Sequence, residues 1–158
     1  MSKGFLEAVI GILEITAENG RIIRIDLVTG EAGLDCVETC RSTADECVIN
    51  ETKKQLSEYF SGLRKEFSLD IELRGTDFQK SVWNVLQTIP YGKTMSYAEV
   101  AAAAGKPAGQ RAAGNAVGKN PLLIVVPCHR VIRTDGSIGG FSSGIDAKII
   151  LQETEGIL

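Results

Sequence analysis

Apolar and polar positions along the chain fall into two regimes, with short alternating runs in roughly the first seventy residues and helical spacing after them. Phe5-Leu6-Glu7-Ala8-Val9-Ile10-Gly11-Ile12-Leu13-Glu14-Ile15 and Arg21-Ile22-Ile23-Arg24-Ile25-Asp26-Leu27-Val28 read as strands. Glu18-Asn19-Gly20 joins them as a hairpin, because Asn-Gly takes positive φ at little cost. Cys36 to Asn50 is polar and irregular. Asn50 to Leu63 then reads as a helix, with Leu56, Tyr59, Phe60 and Leu63 at helical spacing and Gly62 near its end. Leu69-Asp70-Ile71-Glu72-Leu73 alternates like a strand, and Gly75-Thr76-Asp77 reads as a joint whose Thr76 or Asp77 caps the next helix.

From Phe78 the pattern turns helical. Phe78, Val82, Val85, Leu86 and Ile89 share one face, and Pro90-Tyr91-Gly92 ends that helix. Ser96 caps a second helix over Tyr97 to Ala104, stopped by Gly105 and Pro107, and a third runs from Gly109 or Gln110 to Gly118. Two short helices about a Gly/Pro turn fit a helix-turn-helix. Leu122 to Val126 is β-branched and too short for a helix, so a buried strand ending at Pro127 is expected. A last helix covers Ala147 to Gln152. The predicted fold is α/β in two domains: residues 1–75 as a small sheet with a helix, and residues 76–158 as a helical domain with the helix-turn-helix.

Composition narrows the class. The 158 residues are 44% hydrophobic and 23% charged, as in an ordinary globular protein, and no apolar stretch approaches a membrane span. Met1 to Gly4 opens no signal-peptide pattern, since Glu7 and Glu14 interrupt the apolar residues; a cytoplasmic protein (nuclear in a eukaryote) is expected. In that compartment Cys36, Cys40, Cys47 and Cys128 are expected to be free, metal-bound or catalytic rather than disulfide-linked. The net charge of −3 hides an asymmetry: residues 1–75 carry fourteen acids and nine bases, residues 76–158 six acids and eight bases. Between Val100 and Thr134 there is no acid, while Lys106, Arg111, Lys119, Arg130 and Arg133 fall there. That field suits an anionic partner; an ordinary basic surface is the alternative.

Chemistry concentrates at Pro127-Cys128-His129-Arg130, which holds the only histidine. A thiol attacks as thiolate, and a nearby imidazole or positive charge promotes that form. Neighbours on a regular strand point to opposite faces, so either the chain turns at Cys128 or a water relays the proton to His129. A core cysteine beside a satisfied histidine is the plain alternative. Asn120-Pro121 is either a turn that braces Cys128 or a turn and no more, and Glu155 is a carboxylate suited to hold His129 in one tautomer. The third helix, Arg111-Ala112-Ala113-Gly114-Asn115-Ala116-Val117-Gly118, contains two glycines that each cost roughly 1 kcal/mol relative to alanine. Either a neighbouring helix or an external surface such as a DNA groove comes close to it.

Pro127-Cys128-His129-Arg130-Val131-Ile132, preceded by Arg111-Ala112-Ala113-Gly114-Asn115 and Gly118-Lys119-Asn120-Pro121, closely resembles the O6-alkylguanine-DNA alkyltransferases. Tyr91-Gly92-Lys93-Thr94-Met95-Ser96-Tyr97 and Gly139-Gly140-Phe141-Ser142-Ser143-Gly144 resemble the same family in the same order. The resemblance is strong over residues 76–158 and general in the N-terminal part, where it implies a ribonuclease H-like layout. It implies direct reversal of O6-alkylguanine damage, with O4-alkylthymine as a second candidate substrate, by one irreversible transfer to Cys128. His129 would deprotonate Cys128 through a water, Glu155 would orient the imidazole, Asn120 would brace the turn, and Tyr97 would serve guanine N3. Arg111 would take the place of the flipped nucleotide. Ala112, Ala113 and Gly114 would lie in the minor groove of double-stranded DNA, and Val131 and Ser142 would contact the flipped guanine. No cofactor, no metal and a monomer are implied.

Departures from the family pattern are Ala113 where valine is frequent, Phe141 where tyrosine is common, Ser143 where glycine is usual, and an ambiguous basic position at Gly118 or Lys119. Some relatives hold zinc through cysteine and histidine in the N-terminal domain. Here Cys36, Cys40 and Cys47 follow a Cys-x3-Cys-x6-Cys spacing with no histidine, which is not a standard zinc pattern. Three other functions compete: a non-catalytic damage sensor, which would lack Cys128; a cysteine hydrolase, which needs turnover and an oxyanion hole; and a helix-turn-helix regulator, for which the third helix offers few side chains to read bases.

Overall fold

The computed structural model describes residues 1–29 and 37–158. The chain divides into two compact units, Met1–Leu73 and Arg74–Leu158. Cys36 lies outside the described residues; Cys40 and Cys47 are exposed free thiols.

The first unit is an antiparallel sheet of β1 (Ser2–Ala8), β2 (Gly11–Glu18) and β3 (Arg21–Leu27), with helix α1 (Thr43–Phe60) packed against it. The long apolar run expected as one strand folds back on itself, pairing Ala8 with Gly11. Gly11 has φ +126°, a value that only glycine adopts freely, and Val9 at the bend is 68% exposed. Apolar content hid this turn. The β2–β3 turn forms at Asn19 (φ 53°) and Gly20 (φ 72°), as the Asn-Gly signal requires. Leu13, Ile15, Ala17, Ile22 and Ile25 are fully buried, as are Thr52, Leu56 and Tyr59 of α1. Leu69–Leu73 forms only a single parallel bridge, Ile71 to Ile22, rather than a strand.

Helix α1 starts seven residues before the predicted Asn50 and ends before Leu63, which is 81% exposed beyond the cap. Its start is set by polar groups that periodicity does not register. Ser42 caps the helix by accepting from Asp45 N–H at 3.1 Å. Asp45 is buried and accepts from Ser2 Oγ at 2.7 Å and Gly20 N–H at 2.8 Å, so one carboxylate joins β1, the β2–β3 turn and α1. The Gly20 N–H, then Ser2, outweigh burial and hold this carboxyl below its ordinary value.

In the second unit, α2 (Asp77–Gln87) begins with a capping box between Thr76 and Gln79. Its Val82, Trp83 and Leu86 are buried, and Trp83 Nε1 donates to Ala116 O at 2.9 Å, which fixes α2 on α4 (Gln110–Gly118). A second capping box, Ser96 with Glu99, opens α3 (Tyr97–Ala103). Between α3 and α4 the chain turns at Gly105 (φ +91°), which gives the expected helix-turn-helix. Short strands β4 (Met95–Ser96) and β5 (Val131–Ile132) pair in parallel, and α5 (Ile145–Thr154) comes last. No helix among the described residues is long and apolar enough to cross a membrane.

Because Asp45 titrates at a depressed value, its contribution to stability is complete above the unfolded value of about 4 and is lost as pH falls through the folded value. Asp45→Ala should cost roughly 2 kcal/mol at pH 7, and the gap between variant and wild type should close in melts run below about pH 4. A gap that stays constant down to pH 3 would contradict the assignment.

Candidate active site around Cys128

Leu122 to Val126 does not form the strand that its β-branched content predicts. Val125 N–H donates to Leu123 O and Val126 N–H to Leu122 O, each at 2.9 Å, and Ile124 sits at φ +73°. A β-branched residue in that region is strained by about 1–3 kcal/mol, which surrounding structure must hold in place. Asn120 supplies part of that restraint: its Nδ2 donates to Val126 O at 2.7 Å, and its Oδ1 accepts from Leu122 N–H at 2.9 Å. Two backbone bonds and the Asn120 side chain close the loop, and Leu122, Leu123, Ile124 and Val126 are buried because they fill the interior, not because they alternate on a sheet.

The chain leaves this loop through Pro127 into a single 3-10 turn, Cys128–Arg130. The chain therefore turns at Cys128, the first of the two possibilities for relating it to His129, and a water relay is compatible with that turn. Cys128 is 4% exposed and contributes to a cavity of about 740 Å³. Tyr97, Gln110, Arg111, Gly114, Val117, Gly118, Arg133 and the loop Gly140-Phe141-Ser142 line the rest of its walls. Burial pushes the Cys128 thiol up to about 11, against the bond from Asn120 and the charge of Lys148. The resting group is thus a neutral thiol, and making the thiolate at pH 7 costs about 5 kcal/mol.

Behind Cys128 lies a buried charged network. His129 Nε2 meets Glu155 Oε2, and neither side chain is exposed. Glu155 Oε1 also takes Arg130 Nε and Nη2, each at 2.7 Å, and Gly92 N–H at 3.2 Å, while Arg130 Nη1 donates to Ile89 O at 2.6 Å. Burial raises the Glu155 carboxyl, but His129, Arg130 and the Gly92 N–H more than offset it and hold it below the carboxylate range. Burial lowers His129; Arg130 and Lys148 push the same way, against Glu155. The imidazole at rest is neutral and able to accept a proton. Gln152 Nε2 donates to His129 O at 2.9 Å and fixes the backbone of the turn.

Lys148, not among the residues expected from the sequence, has no exposed surface. Its three N–H groups reach the carbonyls of Val131 (2.8 Å), Ile138 (2.5 Å) and Gly140 (3.1 Å). Burial lowers it to about 8, so it is mostly protonated at pH 7 and places a positive charge near Cys128 while tethering the loop that walls the cavity. The signal was present as a lone lysine within the apolar run Ala147-Lys148-Ile149-Ile150-Leu151. Arg130 stood within the quoted motif, and nothing local marked it as the partner of Glu155.

The remaining predicted residues divide by position. Arg111 is exposed at the first turn of α4, and Gly114 and Ser142 line the cavity. Tyr97 faces Gly139, where an added methyl would lie 3.2 Å from the ring, so glycine permits that approach. Burial raises the Tyr97 hydroxyl, Cys128 adds to that, and Arg133 opposes it. Ala112 is half-buried, Ala113 lies in the core, and Val131 is buried with its carbonyl held by Lys148; none of the three lines the cavity. The α4 glycines have no internal cause: a methyl on Gly114 would meet nothing nearer than Tyr97 at 3.8 Å, and one on Gly118 nothing within 4 Å.

Iodoacetamide at pH 8 should label Cys128 about tenfold more slowly than exposed Cys40 and Cys47. A two-unit rise lowers the thiolate fraction about 100-fold and returns about tenfold in nucleophilicity. Lys148→Met should slow Cys128 further. Equal labelling of the three thiols would show that Cys128 is not pushed up.

Comparison with known proteins gives one consistent family. The profile of the 6-O-methylguanine DNA methyltransferase DNA binding domain matches residues 77–157, and that of the ribonuclease-like domain of 6-O-methylguanine DNA methyltransferase matches residues 1–73. The methylated-DNA–protein-cysteine methyltransferase of Methanosarcina acetivorans is 36% identical over 156 residues, spanning 99% of both chains. The constitutive methylated-DNA–protein-cysteine methyltransferase of Bacillus subtilis is 44% identical over 154 residues, covering 96% of this chain and 93% of that protein. Among solved structures, Mycobacterium tuberculosis OGT in complex with DNA superposes with a TM-score of 0.84 at 36% identity, covering 96% of this chain and 90% of that one.

Proposed function

The chain belongs to the 6-O-methylguanine DNA methyltransferase family, and on that premise we propose that it repairs O6-alkylguanine in DNA by moving the alkyl group onto Cys128, once per molecule. The observation that carries this reading is a buried thiol in a cavity large enough for a base, with a neutral imidazole on a buried carboxylate behind it and a cationic rim.

The lesion reaches the thiol only as a flipped nucleotide, since a base within the stack cannot enter such a cavity. His129, its Nε2 engaged by Glu155, takes the thiol proton at Nδ1 through a water. The sulfur then attacks the alkyl carbon in line, an S–C bond forms, the C–O6 bond breaks, and the electron pair stays on the guanine. Tyr97 supplies a proton to guanine N3, and the His129 imidazolium passes the thiol proton through water to the Tyr97 oxygen, so Tyr97 is restored and the thiol proton ends, net, on the released base. The thioether product is too stable to hydrolyse, which makes the protein a single-use reagent. No cofactor or metal takes part in these steps. Tyr97 and Cys128 line one cavity and His129 meets Glu155 within a single chain, so one monomer suffices for these steps. Free thiols at Cys40, Cys47 and Cys128 suit a reducing compartment, the cytoplasm.

The DNA partner lies against α4, whose outer surface bears Arg111, Asn115, Gly118 and Lys119. Its glycines cost helix stability and gain nothing inside the unit, which supports close approach by an external surface, the minor groove. Arg111 fills the gap left in the stack. The C-terminal unit thus serves as the DNA-binding and acceptor domain.

Mixing equimolar protein with duplex DNA bearing one O6-methylguanine should add a single methyl to the intact mass, never more than one, and none in Cys128→Ala. Lesion-selective binding without any mass gain would instead favour a damage sensor. Gly114→Ala should stabilise the unit by roughly 1 kcal/mol in thermal melts and yet weaken DNA binding severalfold. Unchanged DNA affinity would remove α4 from the interface.

A further inference from the structure

When a base sits against Cys128, its sugar and flanking phosphates stand at the mouth of the cavity. Two cations are exposed there, Arg111 from α4 and Arg133 from the segment after β5, and among the described residues no acidic side chain lines the cavity. Arg111 fills the base stack in the proposed complex, and one side chain cannot do that and also hold the displaced backbone. Extruding a nucleotide swings its phosphates out of their regular path, and a cation fixed at the mouth offsets the charge they bring.

Arg133 is built for that position. Its N–H donates to Ser137 O at 2.9 Å and its carbonyl accepts from Gly136 N–H at 2.9 Å, so a closed turn holds its backbone. Its stem runs beside Gly139, in the loop that faces Tyr97. The neighbouring acid, Asp135, binds the N–H (2.9 Å) and Oγ (2.7 Å) of Ser137 through Oδ1 and attracts Arg133 through its charge without forming an ion pair with it. No ion pair among the described residues uses the Arg133 guanidinium. Its charge reaches the interior of the site, acting on both Tyr97 and Lys148.

We propose that Arg133 is the phosphate clamp of this site, its planar guanidinium gripping the backbone phosphate beside the extruded nucleotide. The proposal rests on the alkyl-transfer reading above and assigns a DNA contact outside the small-residue helix. It orders events: the clamp engages once the nucleotide has left the stack, and so favours the flipped state over the stacked one.

The test measures binding to duplex DNA carrying O6-methylguanine across a range of salt, in a Cys128→Ala background, for Arg133, Arg133→Gln and Arg133→Lys. Loss of one phosphate contact should make the slope of log K against log salt shallower by about 0.9 in the Gln variant, which should bind about tenfold more weakly near 0.1 M salt. The Lys variant should retain most of the slope. With Cys128 restored, the single-turnover rate of Arg133→Gln on lesion DNA at limiting concentration should fall about tenfold relative to its rate with the free base O6-benzylguanine. An unchanged slope overturns the clamp. An equal loss on DNA and free base also overturns it, by placing Arg133 in the base pocket. If Arg133 protein with Cys128 gains no methyl from lesion DNA, the alkyl-transfer reading fails first and takes the clamp with it.

Discussion

Glu155 carries an ionised carboxylate into the interior of the C-terminal unit, and the partners it needs there arrange the site. A buried charge without them would cost several kcal/mol. His129 meets that need at Oε2, and Arg130 and the Gly92 N–H at Oε1. Through these bonds the C-terminal end of α5, the turn after α2 and the 3-10 turn at Cys128 are held at one point. Tyr91 Oη adds to the same junction by donating to Thr154 O at 3.0 Å. Removing Glu155 would leave an unpaired guanidinium beside an imidazole, so the residue that the proposed proton transfer relies on is also one that stability depends on.

Reactivity is held in reserve. Burial keeps Cys128 a neutral thiol, and burial keeps His129 a neutral imidazole, so neither charge exists until a proton moves between them. Under the proposed single transfer, a resting thiolate would be spent on any passing electrophile. Lys148 supplies the opposing influence, a positive charge whose three N–H groups are already engaged by carbonyls. It acts on Cys128 through its field and on the cavity wall through its tether. The α4 glycines show the same preference for function over stability, since nothing inside the unit requires them.

Much of this was legible in the sequence, though unevenly. The helix-turn-helix was readable because its signals are local: capping residues, a Gly/Pro turn and helical periodicity. The hairpin at Asn19-Gly20 was readable for the same reason. The bend at Val9-Ile10 and the loop over Leu122–Val126 were not, because apolar residues make both turns and an apolar run reads as strand. The early start of α1 was missed because its inward-facing residue is Asp45, a polar group that periodicity counts as surface.

By itself the sequence determined the order of elements in the C-terminal half, the reactive cysteine, and the set of motifs that identifies the family, since each depends on residues close together in the chain. Glu155 as a partner for His129 and Asn120 as a brace for the turn were named as candidates, and the resemblance assigned them those roles; the further bonds of Glu155 to Arg130 and Gly92 were not derivable, because a hydrogen bond between residues far apart leaves no mark on local pattern. Only the tertiary structure decided that Arg130 shares the carboxylate of Glu155, that Lys148 is buried under the cavity wall, and that Arg133 stands at its mouth. It also decided protonation, because a thiol or an imidazole has its ordinary affinity for protons until packing removes water and sets specific charges beside it.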